Sequence, residues 1–244
     1  MRTLSAPELL DVWERGDVQS PVNRALSLLS AACPEASADS LTKLNIGERD
    51  ARLLTLREWT FGTQLIGIAT CPDCRERLEL TFNVADIQVA PEPEPTGGMA
   101  IDVAGYDVRF RLPNSMDLAA IVDCKDSDRA REQLLENCLL SAHHNGEEIS
   151  FDQLPASLME AILERMAEAD HQADVELALS CPSCRHQWQA TFDIVSFFWS
   201  EIDAWVHRIL QEVHVLAVAY GWREADILAM NPWRRQFYLK MVSG

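Results

Sequence analysis

The stretch CPDCRERLELTF, which begins at Cys71, returns 110 positions later as CPSCRHQWQATF, which begins at Cys181. Cysteine, proline, arginine, threonine and phenylalanine recur in register. A Cys-x-x-Cys turn brings two thiolates within reach of one cation, which is half of a tetrahedral structural site. Two such hooks make a complete set, so Cys71, Cys74, Cys181 and Cys184 are predicted to bind one structural zinc per chain. Around each hook apolar and polar residues alternate, in QLIGIAT and ERLELTFNV and again in DVELALS and HQWQATFDI. That is the period of a strand, a turn and a returning strand. The consequence for the fold is severe, because everything between the hooks must return to the point it left. Loop-closure entropy grows only slowly with length, and the binding energy of such an ion becomes folding energy.

The residues leave other uses of the hooks open: thioredoxin-type redox chemistry, a degenerate metal site, or each hook joining a site on another chain. Redox chemistry of that type calls for a single Cys-x-x-Cys at a helix N-terminus, whereas here there are two hooks, each followed by a strand pattern. His186 reads as an exposed turn residue, with a supporting place beside the metal as the alternative.

The chain has seven cysteines, an odd number that argues against a secreted disulfide framework. Cys33, Cys124 and Cys138 lie in apolar helical contexts and are expected to pack as small hydrophobes. No G-x-S-x-G, P-loop or H-E-x-x-H sequence is present. His143 and His144 fall at an expected helix end, where paired histidines cap carbonyls or face solvent. Four cysteines would also close the coordination sphere, leaving no position for a catalytic water. The zinc reads as scaffold, and the chain as a non-enzyme.

Elsewhere the pattern is helical. Ser5 and Glu8 form a capping box ahead of a segment ending at Gly16, and Ser20-Pro21 opens a second that Pro34 stops. Leu53, Leu56 and Thr60 share a face of NIGERDARLLTLREWTFG. MAIDVAGYDVRFRL reads as a hairpin turning at Ala104-Gly105. Asn114 or Ser115 caps the next helix, with Asp117 in its first turn, and a further helix is expected over SDRAREQLLENCLLSAHH until Asn145-Gly146 breaks it. Leu158, Ile162 and Met166 mark one side of another. Near the C-terminus Phe198, Ile202, Trp205, Ile209, Val213, Leu216 and Tyr220 step along one stripe, and Gly221 ends it. Two shorter helices, READILAM and WRRQFYLKMV, follow.

The expected fold class is therefore α+β, mostly helical, with a zinc-ribbon-like β unit made of two distant CPxC hairpins. Its parts are an N-terminal helical region (1–60), the first zinc hairpin (61–90), an acidic Pro/Gly linker (91–98), a β-hairpin plus helices (99–172), the second zinc hairpin (173–195) and a C-terminal helical region (196–244).

With 38 acidic against 21 basic residues, the formal charge is −17. Such a surface repels phosphate backbones and anionic lipid, which argues against a nucleic-acid or membrane partner. A zinc-ribbon regulator would need a basic face that Arg75, Arg77 and Arg185 do not make. The start has no apolar core of a secretory leader, and no apolar run approaches the ~20 residues of a membrane span. A soluble cytoplasmic protein is expected.

The stretches LLDVWERG, NIGERDARLLTLREWTFG, CPDCRERLELTF, GYDVRFRLPNSMDLAAI, CPSCRHQW and YGWREADILAMNPWRRQFYLKMV together resemble the T4-type phage baseplate protein family, described as baseplate hub assembly chaperones. Relatives occur in prophage tails and in extracellular contractile injection systems. FRLPNSMDLAA and the paired hooks carry the most specific part of the likeness. The resemblance implies a non-enzymatic factor for assembling a baseplate hub or tail core. Its partners would be tail or baseplate proteins, such as a hub or tape-measure protein. A permanent baseplate subunit is the alternative. Trp222, Trp233, Arg234, Arg235, Phe237 and Tyr238 are the candidate partner-binding residues, since aromatic and arginine side chains are enriched at binding hot spots.

Overall fold

A computed structural model describes residues 1–89 and 98–243. The expected linker at 91–98 lies, apart from Gly98, outside the described residues. In chain order the first part carries α1 (Ala6–Gly16), α2 (Pro21–Ala32), α3 (Ala38–Thr42), α4 (Ile46–Phe61), β1 (Gln64–Thr70), β2 (Arg77–Asn83) and α5 (Val84–Ile87). The hairpin β3 (Met99–Val103) and β4 (Tyr106–Phe110) follows. Then come α6 (Ser115–Ile121), α7 (Ser127–Cys138), β5 (Leu139–His144), β6 (Glu147–Glu148), α8 (Ala156–Ala169), β7 (Val175–Ser180), β8 (Gln187–Phe192), α9 (Ile194–Tyr220), α10 (Glu224–Leu228) and α11 (Pro232–Ser243). The molecule is mixed α and β, with small antiparallel sheets.

The repeat extends beyond the hooks. α4 and α8 begin 110 positions apart, as do α5 and α9, so each hairpin is preceded and followed by a helix. Strand register repeats too: Leu65 faces Phe82 in the first hairpin and Val175 faces Phe192 in the second.

The chain divides into two compact units. One joins Met1–Glu35 to Ile194–Gly244 and is helical. Its α1 opens as expected: the Ser5 N–H and hydroxyl both donate to the Glu8 carboxylate. Leu9, Val12, Ala25, Leu28 and Leu29 bury against one another with Ile202, Val206, Ile209 and Leu216 of α9. Gly16 is required by proximity, because a Cβ there would stand 2.1 Å from Cη2 of Trp199. The α9 stripe differs from expectation in two places. Val206, not Trp205, is its buried member, and Tyr220 is exposed. A 27-residue helix drifts around its axis relative to any fixed three-or-four step, and packing selects the position that faces inward.

The other unit is Ala36–Asp193. Strands β3, β4, β5 and β6 form its largest sheet. Val108 and Phe110 of β4 and Ala142 of β5 share a core with Leu135, Leu158, Ile162 and Met166. Both hairpin turns place two residues in the left-handed region, Ala104 and Gly105 in one and Asn145 and Gly146 in the other. The helix expected through His144 instead ends at Cys138, and 139–144 is strand β5, paired with β4. Asn145-Gly146 is therefore a hairpin turn and not a helix stop, and His143 and His144 lie on a strand. The local sequence LLSAHH suits either state, and β4 supplies the partner that decides.

Asn114 is the cap of α6, accepting from the Met116 and Asp117 N–H groups. Arg111 grips Asp117 through both terminal nitrogens, at 2.6 and 2.9 Å. Cys33 and Cys138 are buried, as expected, but Cys124 lies half-exposed in the loop after α6. Among the described residues no helix is long and apolar enough to cross a membrane.

Candidate metal centre

Each hook closes its hairpin by the same two backbone hydrogen bonds. In the first, Cys71 N–H donates to Glu76 at 2.9 Å and Arg75 N–H to Cys71 at 3.1 Å. In the second, Cys181 N–H donates to His186 at 2.9 Å and Arg185 N–H to Cys181 at 2.8 Å. Arg75 and Arg185 both sit in the left-handed region, with φ of 64° and 63°. A non-glycine residue pays steric energy there, and both hooks adopt this strained turn at the equivalent position.

The turns aim their sulfurs at one point. Cys71 Sγ lies 3.7 Å from Cys184 Sγ, and Cys74 Sγ lies 3.6 Å from Cys181 Sγ. All four sulfurs fall within 4.8 Å of one another. These two contacts are the same pair with the hairpins exchanged, so the centre has an approximate two-fold axis. Phe82 and Phe192, which are equivalent in the repeat, meet each other across it edge to face at 5.7 Å. Cys71 and Cys181 are buried with Leu78, and Leu80 and Trp188 pack against them, while Cys74 and Cys184 are exposed. His186 stacks on Trp188 and is not among the converging donors.

The donor set fits a soft divalent ion. A tetrahedron with metal–sulfur bonds of about 2.3 Å has edges of about 3.8 Å, close to the two short separations observed. A disulfide would need a sulfur–sulfur distance of about 2.05 Å, and all four thiols are free. Electrostatics agree. The Cys181 thiol is drawn down to about 7, chiefly by the Cys184 backbone N–H directed at its sulfur. The Cys184 thiol receives such help from the His186 N–H, yet partial desolvation and the sulfurs of Cys74, Cys181 and Cys71 push it up to about 12. Four crowded sulfurs resist becoming four thiolates, and a dication is the species that would relieve that repulsion.

The C-terminal candidates are divided by the structure. Trp222 is half-buried, stacked on Tyr220 at 4.5 Å and edge-on to Tyr238 at 4.8 Å. Trp233 and Phe237 stack on each other at 6.0 Å while remaining 77% and 54% exposed. Arg234 is exposed, with its guanidinium 5.7 Å from the Tyr238 ring centre. Arg235 instead turns inward, pairs with Glu212 at 2.6 Å and anchors α11 on α9. Met241, one turn beyond Phe237, is 61% exposed and extends the stripe. Its spacing of four from Phe237 was readable, as was the recurrence of Phe82 and Phe192, but neither residue carries chemistry that would single it out.

Neither a curated protein nor a solved structure matches the chain. A family model described as T4 bacteriophage base plate protein matches residues 9–199, well over half of the chain and both hooks, and the chain belongs to that family.

Proposed function

We propose that this protein is a non-enzymatic assembly chaperone for the baseplate hub or tail core of a phage-like contractile tail or injection system. In this reading it acts in the cytoplasm, and one structural zinc on Cys71, Cys74, Cys181 and Cys184 locks its two hairpins together. The observation that carries the partner-binding part is the bare face of α11. Trp233, Phe237 and Met241 stand at successive four-residue steps, are all exposed, and are flanked by Arg234 and Lys240. A helix with that stripe suits packing against a partner's amphipathic helix, as a tape-measure protein would present. α11 lies beyond the matched stretch, which ends at 199.

The test is a pull-down with tail proteins encoded beside this chain, paired with its abundance in finished particles. Capture of a hub or tape-measure protein, lost in Trp233→Ala/Phe237→Ala while the fold is retained, together with absence from particles, supports the chaperone. The matched family's description as a base plate protein favours a second reading, a permanent structural subunit. Stoichiometric presence in purified particles would establish that reading and remove the chaperone.

A further inference from the structure

The unit that holds the cysteines also contains an open cleft of about 720 Å³ between β2 and β7. Consecutive residues of both strands line it, 79–82 of β2 and 175–179 of β7. A strand presenting its face would contribute only every second residue, so both strands turn an edge to the cleft. Among the described residues each is paired on one side only, β2 with β1 and β7 with β8.

The backbone pattern identifies which groups are free. The bonds Cys71 N–H to Glu76 and Val84 N–H to Thr63 set the phase of the first ladder, so Leu78, Leu80 and Phe82 bond to β1. In an antiparallel pair the intervening residues point their N–H and C=O outward. These are Glu79 and Thr81. The bond from Cys181 N–H to His186 sets the second ladder likewise, which leaves Glu176 and Ala178 facing outward. No other described residue takes up these groups. Unpaired strand edges are templates for a further strand.

The chemistry of the cleft states what that strand carries. Leu80, Phe82 and Leu177 give it an apolar floor, and Glu79, Asp86, Asp174 and Glu176 give it a carboxylate rim. Of the lining residues only His171 can carry positive charge. We propose that this cleft binds an extended segment of a partner protein, alternating apolar with basic side chains, which adds to the free edges of β2 and β7. Apolar side chains enter between the hairpins, basic ones meet the carboxylate rim, and the partner's main chain bonds to the outward groups. The site uses none of the α11 residues, and it holds whether the chain is a transient chaperone or a permanent subunit.

The test uses the whole 244-residue chain and a short fluorescent peptide alternating lysine and valine, with a glutamate–valine peptide as control. Saturable binding of the basic peptide is expected, with slowed hydrogen exchange at the amides of Glu79, Thr81, Glu176 and Ala178. Glu79→Lys/Glu176→Lys, which alters only exposed side chains, is expected to weaken it roughly tenfold or more. Absence of binding would overturn the proposal. So would binding that leaves those four amides unprotected, which would be nothing more than attraction to a chain of charge −17.

Discussion

The rings of Phe82 and Phe192 meet at 5.7 Å with an interplanar angle of 86°, although 110 residues separate them in the chain. They occupy the same position in the two hairpins, so the contact is one residue type meeting its own repeat across an approximate two-fold axis. Edge-to-face aromatic pairs couple by about 0.5–1.5 kcal/mol beyond burial. A double-mutant cycle of Phe82→Leu and Phe192→Leu in urea denaturation is expected to return a coupling in that range. Additive single effects would mean that the two rings merely share a neighbourhood.

The metal prediction follows from the same symmetry. Elemental analysis is expected to give one zinc per chain in the wild type. Cys71→Ser and Cys181→Ser, being equivalent, should lose it to the same degree and both broaden the thermal transition. A chelator should do likewise to the wild type, since removal of a structural ion removes folding energy. A sharply folding, zinc-free protein would refute the centre.

Gly16 supplies a steric test in the helical unit. An alanine Cβ would stand 2.1 Å from Cη2 of Trp199, an aromatic ring that is itself buried. Gly16→Ala is expected to cost about 1–3 kcal/mol by overpacking, despite alanine's better helix propensity. Trp199→Leu in the same chain should recover part of that loss, as read by the melting temperature. A Gly16→Ala protein as stable as wild type would contradict the close contact.

Glu8 gives a pH dependence. Its carboxyl is held well below the usual range, to about 2, first by the hydrogen bond from Arg2 and then by the N–H and hydroxyl of Ser5. A carboxylate depressed in the folded state stabilises above its unfolded value of 4.5, and that contribution is lost as pH falls through about 2. NMR titration of Glu8 should show that low midpoint, and in Glu8→Gln the extra acid sensitivity between 4.5 and 2 should disappear. A Glu8 midpoint near 4.5 would contradict the capping box with Arg2.

Much of this was legible in the chain because it is local. Ser5 and Glu8 cap a helix through groups three residues apart, and Leu158, Ile162 and Met166 bury one helix face at its own period. The hooks were legible for a related reason, since a Cys-x-x-Cys turn is complete in four residues and its echo can be read without a structure. Where the outcome depended on a distant partner, the chain alone was ambiguous. LLSAHH became strand because β4 offered it a ladder, Val206 displaced Trp205 because of the face that α9 buries, and Arg235 turned away from the surface because Glu212 waits on α9. The caps, the amphipathic helices and two half-sites of two thiols each are set by residues a few positions apart and can be read from the chain alone. That the half-sites converge to within 4.8 Å is a matter of tertiary packing, because it depends on how everything between them folds back.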